Sequence, residues 1–191
     1  TLLEANPSVT MLRQCAKISL EIDNSIQSNF TNAGLYVYNT ATKAAIAPAN
    51  YIEPTTDDLA ESTDLRTDNP LGGGTATTVA VNETSAGKAM VIIKANYKKS
   101  EEEDYREGYY KVALYKDANK TTQYALLRNH HYTIKVTKVN DYGFSTLEEA
   151  KKSLPENRLE VEVRDDNPEI TRMIACKDYE LGVSDYQEIN A

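Results

Sequence analysis

The sequence is poor in residues that bind metals: its 191 residues include two cysteines and two histidines, and no tryptophan. His130 and His131 are adjacent, and alternation along a strand sends neighbouring side chains to opposite faces. A metal site needs three or four convergent ligands, and no other His or Cys lies near this pair at ligand spacing. The pattern favours a structural role for both histidines.

Catalytic motifs are also absent. The sequence has no Gly-x-Ser-x-Gly, no HExxH and no EF-hand loop, and the glycines 72–74 lack the Lys-Ser/Thr that follows them in a phosphate-binding loop. Acidic clusters such as 101–104 would serve a glycosidase only if two carboxylates met across a cleft. On loops they are typical of solvated surface. We therefore predict no enzyme, no metal and no cofactor.

Basic residues are too few for a polyanionic partner. The chain carries 21 Lys and Arg against 29 Asp and Glu, a net charge of −8. This balance argues against nucleic acid and against an anionic membrane surface. No apolar run has the length of a transmembrane helix, so we predict no direct membrane insertion. No signal peptide or lipidation box opens the chain, which we expect to be a mature form or a piece of a longer protein.

Strand patterns dominate what is present. Thirteen tyrosines suit strands, because each joins an apolar ring to a polar tip. Period-two alternation of apolar and polar residues predicts half-buried strands. These strands lie at about 13–23, 30–39, 75–83, 88–98, 107–117, 132–137 and 159–164. The acidic run 101–104 is predicted to be the exposed tip of a hairpin.

One helix is predicted, at 146–154. Thr146 and Glu149 form a capping box, in which hydroxyl and carboxylate satisfy free backbone N–H groups at a helix start. Pro155 ends the helix. The segment 49–74, rich in Pro, Gly, Asp and Thr, is predicted to be a long loop. No domain boundary is placed there, because neither side supplies enough strands for a sandwich.

The predicted fold is a mainly β Greek-key β-sandwich of about eight strands, with a short crossover helix near 146–154. Residues 1–191 are predicted to form one lobe. Its parts outside the sandwich are an N-terminal lead-in (1–12), the loop (49–74) and a C-terminal extension (165–191).

Five short segments carry a resemblance to a known family. They are Leu-Leu-Arg-Asn-His-His-Tyr (126–132), Gly-Phe-Ser-Thr-Leu-Glu-Glu-Ala (143–150), Leu-Glu-Val-Glu-Val (159–163), Arg-Gln-Cys-Ala-Lys-Ile (13–18) and Tyr-Glu-Leu-Gly-Val (179–183). The chain resembles the fimbrillins, pilus subunits and accessory pilus proteins of Bacteroides- and Porphyromonas-type bacteria. The resemblance implies a transthyretin-like sandwich. Fimbrillins usually have two lobes, so this chain is expected to be the C-terminal lobe of a longer protein.

The function that the resemblance implies is structural. The chain would be a subunit or accessory component of a surface fimbria, joined to other fimbrial subunits by β-strand exchange. It would support adhesion to a host or bacterial surface ligand, with its precursor anchored in the outer membrane. An arginine-specific protease cuts such precursors, and Arg13 lies in a suitable place just before a strand. The presence of residues 1–13 indicates that this site was not cut.

The segment 176–184 is a candidate donor strand. Its alternating Tyr179, Leu181 and Val183 would fill pockets of a neighbour, since an added strand gains main-chain hydrogen bonds and alternate side-chain contacts. An ordinary last strand within its own domain would show the same alternation. Cys15 and Cys176 could form a disulfide in an exported protein, and two unpaired thiols are the alternative.

Two other functions remain open at this stage. The first is a cell-surface carbohydrate- or protein-binding module, in which the 49–74 loop and exposed tyrosines would form the site. The second is a cell-surface enzyme whose carboxylates converge only in the folded chain.

Overall fold

The computed structural model describes residues 15–44, 63–155, 158–166, 172–176 and 179–183. Within them lie nine strands and one helix. The strands are β1 (Ala16–Ile22), β2 (Phe30–Tyr38), β3 (Thr78–Val81), β4 (Met90–Tyr97), β5 (Arg106–Val112), β6 (His131–Val139), β7 (Leu159–Asp165), β8 (Arg172–Cys176) and β9 (Tyr179–Val183). The helix α1 spans Leu147–Lys152, between β6 and β7.

Seven of these strands form a two-layer sandwich. Sheet A has the order β3-β1-β6-β7, and sheet B the order β2-β4-β5. All the ladders are antiparallel except β1–β6, in which Lys17 to Ile22 pair in parallel with His131 to Val136. The mainly β sandwich predicted from the sequence is confirmed, with seven strands in its two sheets.

The core lies between the two sheets. Period-two alternation sends every second side chain of a strand inward, so Ile18 on β1 and Ile134 on β6 are fully buried. Leu35 and Ile93 from sheet B meet them in the same apolar cluster. The phenol of Tyr110 also lies in this core, and burial raises its pKa to about 12.

The helix begins where the capping box predicts and ends at Lys152, two residues before the predicted end at 154. Glu149 N–H donates to Thr146 Oγ1 (3.3 Å), and Thr146 N–H donates to the Glu149 carboxylate (3.2 Å). Ala150 is fully buried and packs in a small cluster with Tyr38 and Ile92. Leu35 and Ile93 point into the sandwich, whereas Tyr38 and Ile92 belong to the separate cluster on the opposite face of sheet B. The helix α1 therefore covers the outer face of this sheet.

The fifth strand is shorter than its sequence pattern. Alternation continues through Val112 and Leu114, both of which are buried. Val112 is nevertheless the last residue of β5 that pairs with β4, because its partner Val91 lies at the start of that strand. The prediction of a strand to residue 117 is therefore wrong by five residues. Beyond Val112 the chain turns, and Lys116 N–H donates to the Thr122 carbonyl (2.9 Å).

Candidate functional site

The free edge of β2 is covered by the chain itself. Val37 and Leu71 exchange two backbone hydrogen bonds of 3.0 Å. Leu35 N–H donates to the Ala76 carbonyl (2.9 Å), and Gly74 N–H donates to the Leu35 carbonyl (2.9 Å). The described part of the predicted long loop, 63–74, thus runs beside β2 and closes this edge to other strands.

The outer edge of β5 is partly covered. Tyr109 and Phe144 exchange two backbone hydrogen bonds, of 3.0 and 2.9 Å. Further along, Lys111 Nζ donates to the carbonyls of Lys151 (2.9 Å) and Ser153 (2.7 Å) at the C-terminal end of α1. Burial lowers the pKa of Lys111. Its ammonium group satisfies carbonyls that have no partner within the helix.

The outer edge of β7 is different, because no strand among the described residues pairs with it. Asp166 N–H donates to the His131 carbonyl (2.7 Å), and the register then places Ile134 opposite Val163 in a non-hydrogen-bonded pair. Peptide groups alternate in direction along an antiparallel strand. The N–H and C=O groups of Val161 and Val163 therefore point away from β6, towards the open edge.

A groove of about 390 Å³ lies beside this edge, between β7 and the end of β5 with the loop that follows it. Val161 and Val163 on the β7 side are half-buried, and Leu159 at the start of the strand is buried. Across the groove lie Val112 and Tyr115. The full lining is Lys111, Val112, Ala113, Tyr115, Lys116, Asp117, Ala118, Lys120, Pro155, Leu159, Val161, Glu162 and Val163. An apolar trough beside unpaired peptide groups is the geometry that binds an extended strand.

Polar contacts hold the end of β7 beside this groove. His130 Nδ1 lies 2.8 Å from Asp165 Oδ2, and the imidazole is only 9% exposed. Thr133 Oγ1 donates to Asp166 Oδ2 (2.5 Å). These contacts fix the last residues of β7 to the start of β6, at the point from which the chain continues towards β8 and β9.

The histidine pair behaves as alternation predicts. His130 contacts Asp165, whereas His131 Nε2 lies 2.9 Å from Ser19 Oγ on β1. The two imidazoles contact different partners, and they do not converge. Among the residues that the structure describes, no group of three or more His, Cys, Asp or Glu is arranged to hold a metal ion.

The candidate donor residues lie in a hairpin. Tyr179, Leu181 and Val183 belong to β9, which pairs antiparallel with β8 in a separate two-stranded sheet. The register places Leu181 opposite Ile174 and Tyr179 opposite Cys176. This arrangement does not decide whether the segment pairs with another chain, so its role as a donor stays a prediction.

Most of the other predicted sites lie partly or wholly outside the described residues. Cys15 is half-buried just before β1, and the side chain of Cys176 lies outside the described residues, so their pairing also stays a prediction. Arg13 lies outside the described residues, as do the lead-in 1–12 and most of the loop 49–74.

Several tyrosines are core residues and not surface platforms. Tyr38, Tyr97, Tyr110 and Tyr132 are each at most 9% exposed, whereas Tyr105 is 44% exposed. The sequence alone does not distinguish these two groups, because a tyrosine suits the core when its hydroxyl finds a partner.

In the part of the chain that the structure describes, no helix is long and apolar enough to span a bilayer.

The sequence does not predict the groove. Its two walls are more than thirty residues apart in the chain, and their alternation resembles that of any half-buried strand. The usable signal was the even alternation of Leu159, Val161 and Val163 in a strand with charged residues between them. That signal predicts an apolar face, but not which edge of which sheet lies open.

No protein-family model matches the sequence, and no curated protein matches it. Similar solved structures include the tip fimbrial protein Mfa3 of Porphyromonas gingivalis with a C-terminal truncation (13% identity over 81% of this chain, TM-score 0.42). Two candidate cell adhesion proteins are also similar. The one from Bacteroides eggerthii has 14% identity over 79% of this chain and a TM-score of 0.41. The one from Parabacteroides distasonis has 12% identity over 82% of this chain and a TM-score of 0.44. The chain spans 51%, 55% and 59% of their respective lengths, or about half.

Proposed function

We propose that the chain is a structural component of a bacterial surface fimbria, and that the groove beside β7 receives a strand from another subunit. The observation that carries this proposal is the open edge of β7. There the peptide groups of Val161 and Val163 face an apolar groove with no strand paired to them among the described residues. The resemblance of five sequence segments to the fimbrillins supports the same function.

The edges of β2 and β7 differ in what an added strand would gain. A strand added at β2 would have to displace backbone hydrogen bonds that Leu35 and Val37 already make. A strand added at β7 would gain main-chain hydrogen bonds and cover Val161 and Val163. Each apolar side chain that it buries contributes roughly 25 cal/mol per Å² of surface removed from water. The β7 edge is therefore favoured over the β2 edge as the acceptor.

The donor in this proposal is an extended segment with apolar residues at alternate positions. The chain's own 176–184, with Tyr179, Leu181 and Val183, has this pattern. Residues 1–191 would then be one lobe of a longer fimbrial protein at the cell surface, with the extension 165–191 available for exchange. The partners would be copies of this chain or other fimbrial subunits, and assembly would support adhesion.

The proposal is tested by the mass of the protein in light scattering at several concentrations, with a labelled 176–188 peptide as a second probe. Val163→Asp puts a charged side chain where the bound strand would cover an apolar one, and burying that charge costs free energy. We expect this variant to lose both self-association and peptide binding, with an unchanged circular dichroism spectrum.

Arg164→Asp is the matched control. It introduces the same residue on the same strand, at a position that points to solvent with a side chain 53% exposed. This variant should assemble and bind peptide as the parent protein does. Equal behaviour of Val163→Asp and the parent would show that the groove is not the acceptor.

A further inference from the structure

Leu154, just after the end of α1, is the most exposed large apolar side chain that the structure describes. Of the large hydrophobic residues in the described ranges, only Tyr105 (44%) and Leu154 (81%) are exposed. The Tyr105 side chain is already engaged, because its hydroxyl donates to the Ser28 carbonyl and Lys98 Nζ lies 5.0 Å from the centroid of its ring. Leu154 is purely aliphatic, so it gains only when another apolar surface covers it.

The exposure of Leu154 follows from where α1 ends. Leu147, Ala150 and Leu154 are spaced by three and four residues, so they would share one face of a continuous helix. Ala150 on that face is fully buried against sheet B. The helix ends at Lys152, however, and Ser153 is extended (φ −70°, ψ 159°). Leu154 therefore leaves the buried face and points to solvent.

The residues on either side of Leu154 are held beside the groove. Lys111 Nζ, whose residue lines the groove, donates to the carbonyls of Lys151 (2.9 Å) and Ser153 (2.7 Å). Pro155, which follows Leu154, is itself part of the groove lining. Because Pro155 comes shortly before β7 in the chain, Leu154 lies at the end of the groove where β7 begins.

The direction of an added strand decides which of its residues reaches this end. Antiparallel ladders are slightly more stable per residue than parallel ones. A strand added antiparallel to β7 ends where β7 begins, at Leu159. The residues that follow Val183 of the candidate donor would then come out beside Leu154. Tyr186 stands three residues after Val183, about 10 Å further along an extended chain.

Tyr186 differs in phase from the apolar residues of the candidate donor. Tyr179, Leu181 and Val183 follow one another at intervals of two, whereas Tyr186 would fall on the other face of a continued strand. It is therefore not placed to fill the next pocket of the groove. Tyrosine joins a large apolar ring to a polar tip, and it is enriched at protein interfaces.

We infer that Leu154 is a contact residue for the incoming subunit, and that Tyr186 of a second copy of the chain covers it. The inference rests on the proposed function, to which it adds a contact outside the groove and the direction of the bound strand. Covering Leu154 removes apolar surface from water and favours association. The contact requires no charged group in the groove.

The experiment is a double-mutant cycle on the affinity of the full chain for a labelled 176–188 peptide. Leu154→Ser changes an exposed side chain and should leave the circular dichroism spectrum unchanged. This variant should bind the parent peptide about tenfold more weakly, because it no longer offers an apolar side chain to bury. A Tyr186→Ser peptide should bind the parent protein about tenfold more weakly as well, and it should bind Leu154→Ser no more weakly than that.

Tyr105→Ser is the matched control, because it removes the other exposed large hydrophobic side chain. Tyr105 precedes the start of β5, whereas the groove adjoins the end of that strand. This variant should bind both peptides as the parent protein does. Parent-like binding by Leu154→Ser would overturn the role of Leu154. Losses that multiply to about a hundredfold in the combined case would show that Leu154 and Tyr186 act independently, which overturns the contact.

Failure of the proposed function gives a different result. If the parent protein binds neither peptide, the C-terminal segment of a second copy is not the occupant, and both the acceptor role and the contact are overturned. If Val163→Asp loses binding while Leu154→Ser binds as the parent does, the groove remains the acceptor and only the contact is overturned. Equal affinity of the parent protein for the two peptides would overturn the position of Tyr186 and the antiparallel direction.

Discussion

Gly34 and Gly74 approach so closely that a Cβ atom on Gly34 would lie 2.4 Å from the carbonyl oxygen of Gly74. The obstacle is backbone, which cannot rotate away as a side chain can. We expect Gly34→Ala to lower the free energy of unfolding by about 3 kcal/mol, at the upper end for overpacking, because the covering segment must move off β2. Equilibrium unfolding in urea would measure this loss.

Gly73 provides the control in the same loop. Its φ is +58°, and a Cβ atom there would meet nothing within 4 Å. Asparagine tolerates this left-handed conformation better than other non-glycine residues. Gly73→Asn should therefore change the stability by well under about 1 kcal/mol. A Gly34→Ala protein as stable as Gly73→Asn would show that the segment 71–76 does not hold the edge of β2.

Tyr132 links the start of β6 to the segment before it. Its hydroxyl donates to the Ala125 carbonyl (2.9 Å) and accepts the Leu127 N–H (3.0 Å), and the side chain is fully buried. Tyr132→Phe keeps the ring but leaves two buried backbone groups without this partner. We expect a loss of about 1–3 kcal/mol in the free energy of unfolding.

The same substitution at Tyr105 is the comparison, because its hydroxyl donates to the Ser28 carbonyl at an exposed position. There water can replace the lost bond, and the loss should be smaller. Similar losses in Tyr105→Phe and Tyr132→Phe would mean that the buried hydroxyl is not needed to satisfy the Leu127 and Ala125 backbone groups.

Asp23 makes the stability depend on pH in acid. Lys135 Nζ lies 2.8 Å from its carboxylate, and this contact, with bonds from Ser25, lowers the pKa of Asp23 well below its usual 3.8. A carboxyl with a lowered pKa stabilises the fold above its unfolded pKa, and this stability is lost as the pH falls through its folded pKa. The contribution is therefore complete above about pH 5 and disappears in stronger acid.

We expect Asp23→Asn to show a shallower fall of the urea midpoint than the parent protein between about pH 5 and about pH 2.5. Glu102→Gln, in the exposed turn between β4 and β5, removes a carboxylate that has no such contact among the described residues, and should follow the parent curve. Parallel curves for Asp23→Asn and the parent would contradict a role for the Asp23–Lys135 pair.

Local signals predicted the single elements well. The alternation of Ile18 and Leu20, and of Ile134 and Val136, placed β1 and β6 because burial of one sheet face leaves a period of two in the sequence. The Thr146–Glu149 capping box placed α1 because it depends on residues three apart. In both cases the interactions that fix the structure lie within a few residues of one another.

Relationships between distant segments were not predictable in the same way. The sequence near Gly34 does not indicate that Gly74 packs against it. The segment 63–76 has no periodicity, and it pairs with β2 only at scattered positions. The groove likewise brings together Val112 and Val163, which are distant in the sequence. Which edge remains open depends on how all the strands are ordered, and single-strand patterns carry no information about that order.

The parallel pairing of β1 with β6 also bears on how the chain folds. Lys17 pairs with His131, a separation of 131 − 17 = 114 residues, so β1 cannot complete its place in sheet A until most of the chain has formed. Closing so long a loop costs conformational entropy before any contact repays it, and proteins dominated by such contacts fold in milliseconds to seconds. During that time the first strand exposes an unpaired edge. The sandwich is therefore vulnerable to intermolecular pairing at β1 while it forms.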